Sequence, residues 1–204
     1  MFTASTRTVS ACICAIALGG CLEQGKSTDN TANHTPTPDT IISTNIDYSR
    51  FVDKALVGCL QRQEMVATAQ AQIINCPQQQ IRSLEGIEQL SELRILSVPH
   101  NAIENVTPVS TLTQLHSLDI NNNRVTSLDP VGKLSNLRTV SAKHNQLNDI
   151  TGLKGSGIEK LYLDHNPLKN LDTLADMSKL KHVSAIGHQA TIPQLAASVQ
   201  SFKL

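Results

Sequence analysis

Leu115-His116-Ser117-Leu118-Asp119-Ile120-Asn121-Asn122-Asn123-Arg124-Val125 is the stretch that decides the fold. Its pattern is L-x-x-L-x-L-x-x-N-x-L, with Ile and Val standing in for Leu. Leu93 to Ile103, Leu137 to Leu147 and Ile158 to Leu168 repeat it in phase. The asparagines Asn101, Asn123, Asn145 and Asn166 are spaced by 22, 22 and 21 residues. The missing residue falls around Lys154-Gly155-Ser156-Gly157, where a short loop absorbs it. Weaker copies flank the four, with Ile74, Cys76, Gln79 and Ile81 before them and Leu180, Val183, Ala185 and His188 after. The apolar-x-apolar alternation has strand period, so both apolar residues point to one side. Such a unit buries its apolar face only by stacking on its neighbours, which makes a solenoid. Ile103, Val106, Val109 and Leu112 follow at intervals of three, which suits turns and short 3₁₀ segments.

This repetition resembles the leucine-rich-repeat family, and the 22-residue period resembles its internalin and protein-phosphatase-regulator subclass. Ile81 to Leu90 resembles the first repeat of exported bacterial members. The resemblance covers roughly residues 47–190. It implies an α/β fold, a solenoid with a parallel sheet of about six short strands and a convex side of 3₁₀ turns. It also implies an asparagine ladder, in which each repeat Asn bonds backbone groups of neighbouring coils and satisfies polar groups otherwise buried unpaired.

The ends of a solenoid expose core and need caps. Residues 47–70 are expected to form a helical N-terminal cap, with Val52, Leu56, Cys59 and Leu60 on one face of a helix within 51–69. Asp53 is the expected N-cap residue, with Val52 and Val57 as a staple pair. The repeats are assigned to 71–190 and a C-terminal cap to 191–204. There Pro193 is expected to open a short helix carrying Leu195, Val199 and Phe202.

Residues 1–20 have the form of a secretory signal, with Arg7 as the only charge and an apolar run from Val9 to Leu18. That run is too short for a bilayer, which needs about 20 residues. Leu18-Gly19-Gly20-Cys21 resembles the lipobox of bacterial lipoproteins, which implies acylation of Cys21, palmitate included, and a permanent lipid anchor. Leu22 rather than Asp after the cysteine implies the outer membrane in a Gram-negative host. Residues 21–46 then form a flexible tether rich in Thr, Asn, Ser, Asp and Pro. Gly20 to Ser27 also fits the phosphate-loop pattern G-x-x-x-x-G-K-[ST]. The polar stretch behind it, with Pro36 and Pro38, does not form the helix such a loop must open.

Five cysteines are present. Cys12 and Cys14 leave with the signal and Cys21 takes the lipid. Cys59 and Cys76 remain as a pair in an oxidising compartment, where a disulfide is the default. Two buried free thiols are the alternative.

The 204 residues carry 17 basic and 17 acidic side chains, and this neutrality argues against a nucleic-acid partner. No metalloprotease, nucleophile-elbow or dinucleotide motif occurs, so neither an enzyme nor a cofactor is expected. Three columns face outward from the strands: Ile95, Ser117, Thr139, Lys160 and His182; Ser97, Asp119, Ser141, Tyr162 and Ser184; Pro99, Asn121, Lys143, Asp164 and Ile186. Tyr162 is their one aromatic. With Lys143, Asp119, Lys160 and Asp164 around it, it marks the expected contact site for a protein partner. The expected function is therefore that of a monomeric, non-enzymatic binding or scaffold lipoprotein of the bacterial envelope. The alternative is an envelope protein that binds a metal or small ligand through His100, His144 and His165, each of which precedes a repeat Asn.

Overall fold

The computed structural model describes residues 45–188, 190, 193–195 and 199–203. The signal, the candidate acylation site Cys21 and the tether up to residue 44 lie outside them. Seven three-residue strands build one parallel sheet in chain order. They are β1 (Ile73–Asn75), β2 (Ile95–Ser97), β3 (Ser117–Asp119), β4 (Thr139–Ser141), β5 (Lys160–Tyr162), β6 (His182–Ser184) and β7 (Ser201–Lys203). The central residues Ile74, Leu96, Leu118, Val140, Leu161, Val183 and Phe202 are register partners across the whole sheet. The first six are buried, so one apolar row runs the length of the solenoid.

Opposite the sheet each of the five connections from β1 to β6 returns through a 3₁₀ segment: Ile87–Gln89, Thr107–Thr111, Asp129–Val131, Thr151–Leu153 and Asp172–Asp176. Four apolar rows at the predicted three-residue interval close the core, as in Val106, Val109, Leu112 and Leu115, all buried. Neighbouring turns touch so closely that a Cβ on Gly132 would lie 1.9 Å from the Gly152 carbonyl oxygen. One coil breaks the pattern. Ser156 occupies the place held by Leu90, Leu112, Leu134 and Met177 in the others, and Ile158 follows it after two residues instead of three. The shortened coil thus buries a serine hydroxyl that has no hydrogen-bond partner.

The asparagine ladder is complete over four coils. The Asn145 side-chain oxygen accepts from Val125 N–H at 2.9 Å, and its amide donates to the carbonyls of Ile120 and Lys143 at 2.9 and 3.1 Å. Asn101, Asn123 and Asn166 repeat this, each bonding the preceding coil and its own.

The N-terminal cap contains a shorter helix than expected, α1 (Lys54–Arg62). Its cap residue is Asp53, as the sequence implies. One carboxylate oxygen accepts from Ala55 and Leu56 N–H, while the other accepts from Arg82 and Ser83 N–H in the first repeat. Partial burial pushes this carboxyl up, yet the four N–H donors outweigh it and hold the group below the usual range. Val52 is 65% exposed, so the expected staple with Val57 does not form. Beyond α1 the chain turns rather than staying helical to residue 69, and the Gln63 side chain bonds both Asn75 N–H and Asn75 C=O on the outer edge of β1. Cys59 and Cys76 stand at bonding distance, with Cα atoms 5.9 Å apart. Folded structure already includes Ile46, which is buried and donates to Val66 C=O, so it starts ahead of the boundary drawn from composition. Gly86 is required where this cap crosses the first coil: its φ is 98° and a Cβ would meet the Arg50 carbonyl oxygen at 2.5 Å.

At the other end the structure corrects the expected helix and the strand count. Phe202 is the central residue of a seventh strand, not part of a helical face. The reason is register: Ser-Phe-Lys has the polar-apolar-polar form of the strands before it, and it is captured by Gln200 and Ser201 N–H donating to the Lys181 carbonyl and by Ala185 N–H donating to the Lys203 carbonyl.

The ladder generates a direct test. Asn145→Ala leaves the buried Val125 N–H without a partner and removes one of the two donors to each of the Ile120 and Lys143 carbonyls, and should destabilise the protein by about 1–3 kcal/mol. His144→Asn, which keeps a residue that tolerates this positive φ, removes only an exposed ring and its stacking on His165 and should cost much less; chemical denaturation of both variants makes the comparison.

Candidate functional site

The register fixes which outward side chains meet. Ile73, Ile95, Ser117, Thr139, Lys160, His182 and Ser201 form one row across the sheet. Asn75, Ser97, Asp119, Ser141, Tyr162, Ser184 and Lys203 form the second. Of the predicted contact residues, three come together. The Lys143 ammonium lies 2.8 Å from Asp164 and 5.2 Å from the centre of the Tyr162 ring. Lys160 shares β5 with Tyr162 but sits in the other row. Asp119 is two strands from Tyr162, with Ser141 between them, and bonds Asn121 N–H rather than joining the cluster.

Asp164 departs from its expected role as an exposed contact. It is 6% exposed. One oxygen accepts from Ile186 N–H at 2.9 Å and from the Ser184 hydroxyl, and the other faces Lys143. Asn121 does the same two coils earlier, accepting from Lys143 N–H at 2.8 Å and the Ser141 hydroxyl at 2.9 Å. Asn121 and Asp164 each stand two residues before a ladder Asn and each bonds the following coil. They form a partial second ladder that runs opposite to the first. The signal in the sequence is the pairing of Asn or Asp with a Ser in the next strand, which the strand-face columns alone do not reveal.

A hollow of about 290 Å³ opens beside this cluster. Lys143, Tyr162, Asp164, His182 and Ser184 line it together with Ser201 and Lys203 of β7. Sequence reasoning missed Lys203 because it placed residues 193–202 in a helix. A larger hollow of about 440 Å³ lies on the loop side between Asn166–Lys169 and Gly187–His188, and offers Lys169 and His188 but no Tyr, Phe or Trp.

The histidine column has a conformational cause. Gln78, His100, Asn122, His144, His165 and Gly187 hold the same place in successive coils, and all have φ between 52° and 80°. Asn, His and Gly tolerate this left-handed region better than most residues. His144 and His165 stack with ring centres 4.4 Å apart and planes 17° apart. The in-plane lone pairs of near-parallel rings run side by side rather than converging on one ion. Among the described residues no three His, Cys, Asp or Glu side chains gather where they would hold a metal.

This architecture defines the class: a leucine-rich-repeat solenoid, whose extended inner face is the surface such proteins use to bind partners. Residues 113–155 match the family model for leucine-rich repeats (two copies). The fold is of the internalin type. It is similar to an internalin (inlF) from Listeria monocytogenes, with 19% identity, a TM-score of 0.59, and coverage of 81% of this chain and 59% of that one. It is also similar to a leucine-rich-repeat protein of Leptospira interrogans, with 25% identity, a TM-score of 0.50, and coverage of 55% and 30% of the two chains. The chain thus spans less than two thirds of either structure. No curated protein matches it by sequence.

Burial pushes the Asp164 carboxyl up, but the Lys143 and Ser184 side chains, Ile186 N–H and the lysine charge outweigh this and hold it below the usual range. A group depressed in the folded state stabilises fully above its unfolded pKa of about 4 and loses that contribution as pH falls through its folded pKa. Asp164→Asn should therefore cost about 1–2 kcal/mol at neutral pH, discounted for the half-exposed lysine. The gap from wild type should close in acid, as followed by denaturation at pH 7 and pH 3.

Proposed function

We propose that the protein is a non-enzymatic binding lipoprotein of the bacterial envelope, held by an acyl anchor on Cys21 and presenting the concave sheet around Tyr162 to a protein partner. The observation that carries the reading is the cluster of Tyr162, Lys143 and Asp164 on a rigid parallel sheet. Its aromatic ring is oriented by a lysine that is itself held by a buried carboxylate. Tyrosine in such a setting suits an interface anchor, because its ring contributes contact area at small entropic cost. The leucine-rich-repeat fold supports a scaffold role. The signal-like N-terminus, the Leu18-Gly19-Gly20-Cys21 motif and Leu22 support export and an outer-membrane address.

Size limits what the sheet does alone. Seven strands about 4.8 Å apart and three residues long give a face on the order of 300 Å². A standard interface takes about 800 Å² from each partner. The partner therefore also contacts the loop rims, or binds weakly. Proximity labelling in the native host identifies it. Tyr162→Ala should then weaken binding by about 1–2 kcal/mol without changing the thermal midpoint. Unchanged affinity in the double variant Tyr162→Ala, Lys143→Ala moves the contact off this face.

Anchoring and oxidation have their own tests. Cys21→Ser should leave the protein out of the detergent phase and block its processing; equal membrane retention refutes the anchor. In the exported protein, Cys59 and Cys76 should appear as one linked peptide pair under non-reducing mass mapping. Recovery of two alkylatable thiols there means that the pair is not oxidised. Closing this loop of about 18 residues stabilises by about 3 kcal/mol on a chain-entropy basis.

A further inference from the structure

Charge is unevenly distributed along the concave face. Strands β1 to β4 present one charge in their two outward rows, Asp119, and their exposed side chains include Ile73 (56% exposed) and Ile95 (38%), which are register partners. Strands β5 to β7 present Lys160, His182 and Lys203. Lys143 reaches in beside them but is committed to Asp164. Among the described residues, neither Lys160 nor Lys203 has a carboxylate within ion-pairing distance. Tyr162 and Ser201 add hydroxyls at the hollow that Lys203 borders.

We infer that the hollow between β5, β6 and β7 is an anion subsite that receives a carboxylate side chain from an extended, acidic protein segment whose aliphatic residues lie along Ile95 and Ile73. Lys203, His182 and the hydroxyls of Tyr162 and Ser201 border about 290 Å³ in which Asp164 is already neutralised by Lys143, and Lys160 lies in register beside His182, so an anion there meets positive charge and hydrogen bonds at once. Lysine on a flexible stem suits a point contact with a carboxylate. The apolar end of the same face selects the source of that carboxylate. A free phosphate or a small acid occupies the hollow and leaves Ile95 and Ile73 in water, whereas a polypeptide reaches both. Five strand spacings of about 4.8 Å separate β2 from β7, a span of about 24 Å that seven or eight extended residues cover. A flat anionic membrane does not follow the inner curve of a solenoid. This inference rests on the reading of the concave face as the partner surface and adds the chemistry of the partner.

Fluorescence anisotropy with the full-length exported protein tests it. The probes are labelled twelve-residue peptides of alternating Leu and Glu, and of alternating Leu and Gln. The Glu peptide should bind at least tenfold more tightly than the Gln peptide. Its affinity should fall at least tenfold in Lys160→Glu, Lys203→Glu, and fall again as salt rises from 50 to 500 mM. Far-ultraviolet circular dichroism should show the variant folded. Equal affinity for the two peptides, an unaffected double variant, or no binding of the Glu peptide overturns the subsite. Displacement of the peptide by equimolar inorganic phosphate, or by phosphatidylglycerol vesicles, overturns the peptide as its occupant. Ile95→Asp separates this inference from the reading beneath it. If the Glu peptide ignores the lysine changes but is lost with Ile95→Asp, the face binds partners without a carboxylate subsite. If it binds and ignores Ile95→Asp, Tyr162→Ala and the lysine changes alike, both readings fall.

Discussion

A primary amide in each central coil, half-buried at Asn101 and buried at Asn123, Asn145 and Asn166, is the interaction on which this solenoid depends. Three-residue strands make few sheet hydrogen bonds, and each coil must then turn sharply into a core made of Leu, Ile and Val. The turn leaves N–H and C=O groups pointing inward, away from water. Unpaired, each would cost a sizeable fraction of a small domain's net stability. Asn101, Asn123, Asn145 and Asn166 bond these groups on their own coil and on the one before. The same amide thus shapes one coil and fixes its distance to the next. The residue ahead of each Asn is left in the left-handed region, which is why the histidines recur there.

The repeat, the sheet direction, the inward rows and the ladder were legible because they depend on local spacing, and spacing survives in one dimension. Asp53 was legible for a similar reason, since an acidic residue before an amphipathic run has one local use. Three features were not. Val52 looks like part of a helical face, but the carboxylate of its neighbour Asp53 starts the helix after it and turns it outward. Ser201 to Lys203 is too short to announce a strand, and it becomes one only because β6 offers an edge in register. Asp164 looks solvated on a strand face, yet Ser184 and Ile186 of the next coil enclose it. In each case a tertiary neighbour 20 or so residues away, or a competing cap, decides the outcome.

The candidate site shows the same division. The sequence named Tyr162, Lys143, Asp119, Lys160 and Asp164 by their outward positions. The structure separates them into an anchor with its support, a lysine beside it and a distant carboxylate. Lys203 joins from a segment whose sequence gave no sign of it. Support residues such as Asp164 face the protein rather than the partner, and their value lies in holding Lys143 against the Tyr162 ring.

Ser156 gives the array a seam. In a linear stack each coil is stabilised chiefly by its two neighbours, so the weakest junction sets where cooperativity breaks. Here a hydroxyl replaces a large aliphatic side chain, and the coil is one residue short at the same point. The coils before residue 156 include the N-terminal cap and most of the ladder. Those after it carry Tyr162, Lys160 and Lys203. Sub-global opening should therefore fall first on the half that bears the proposed contact, with faster amide exchange expected there than in the capped half. A partner seated along β2 to β7 would bridge this seam and should slow that opening.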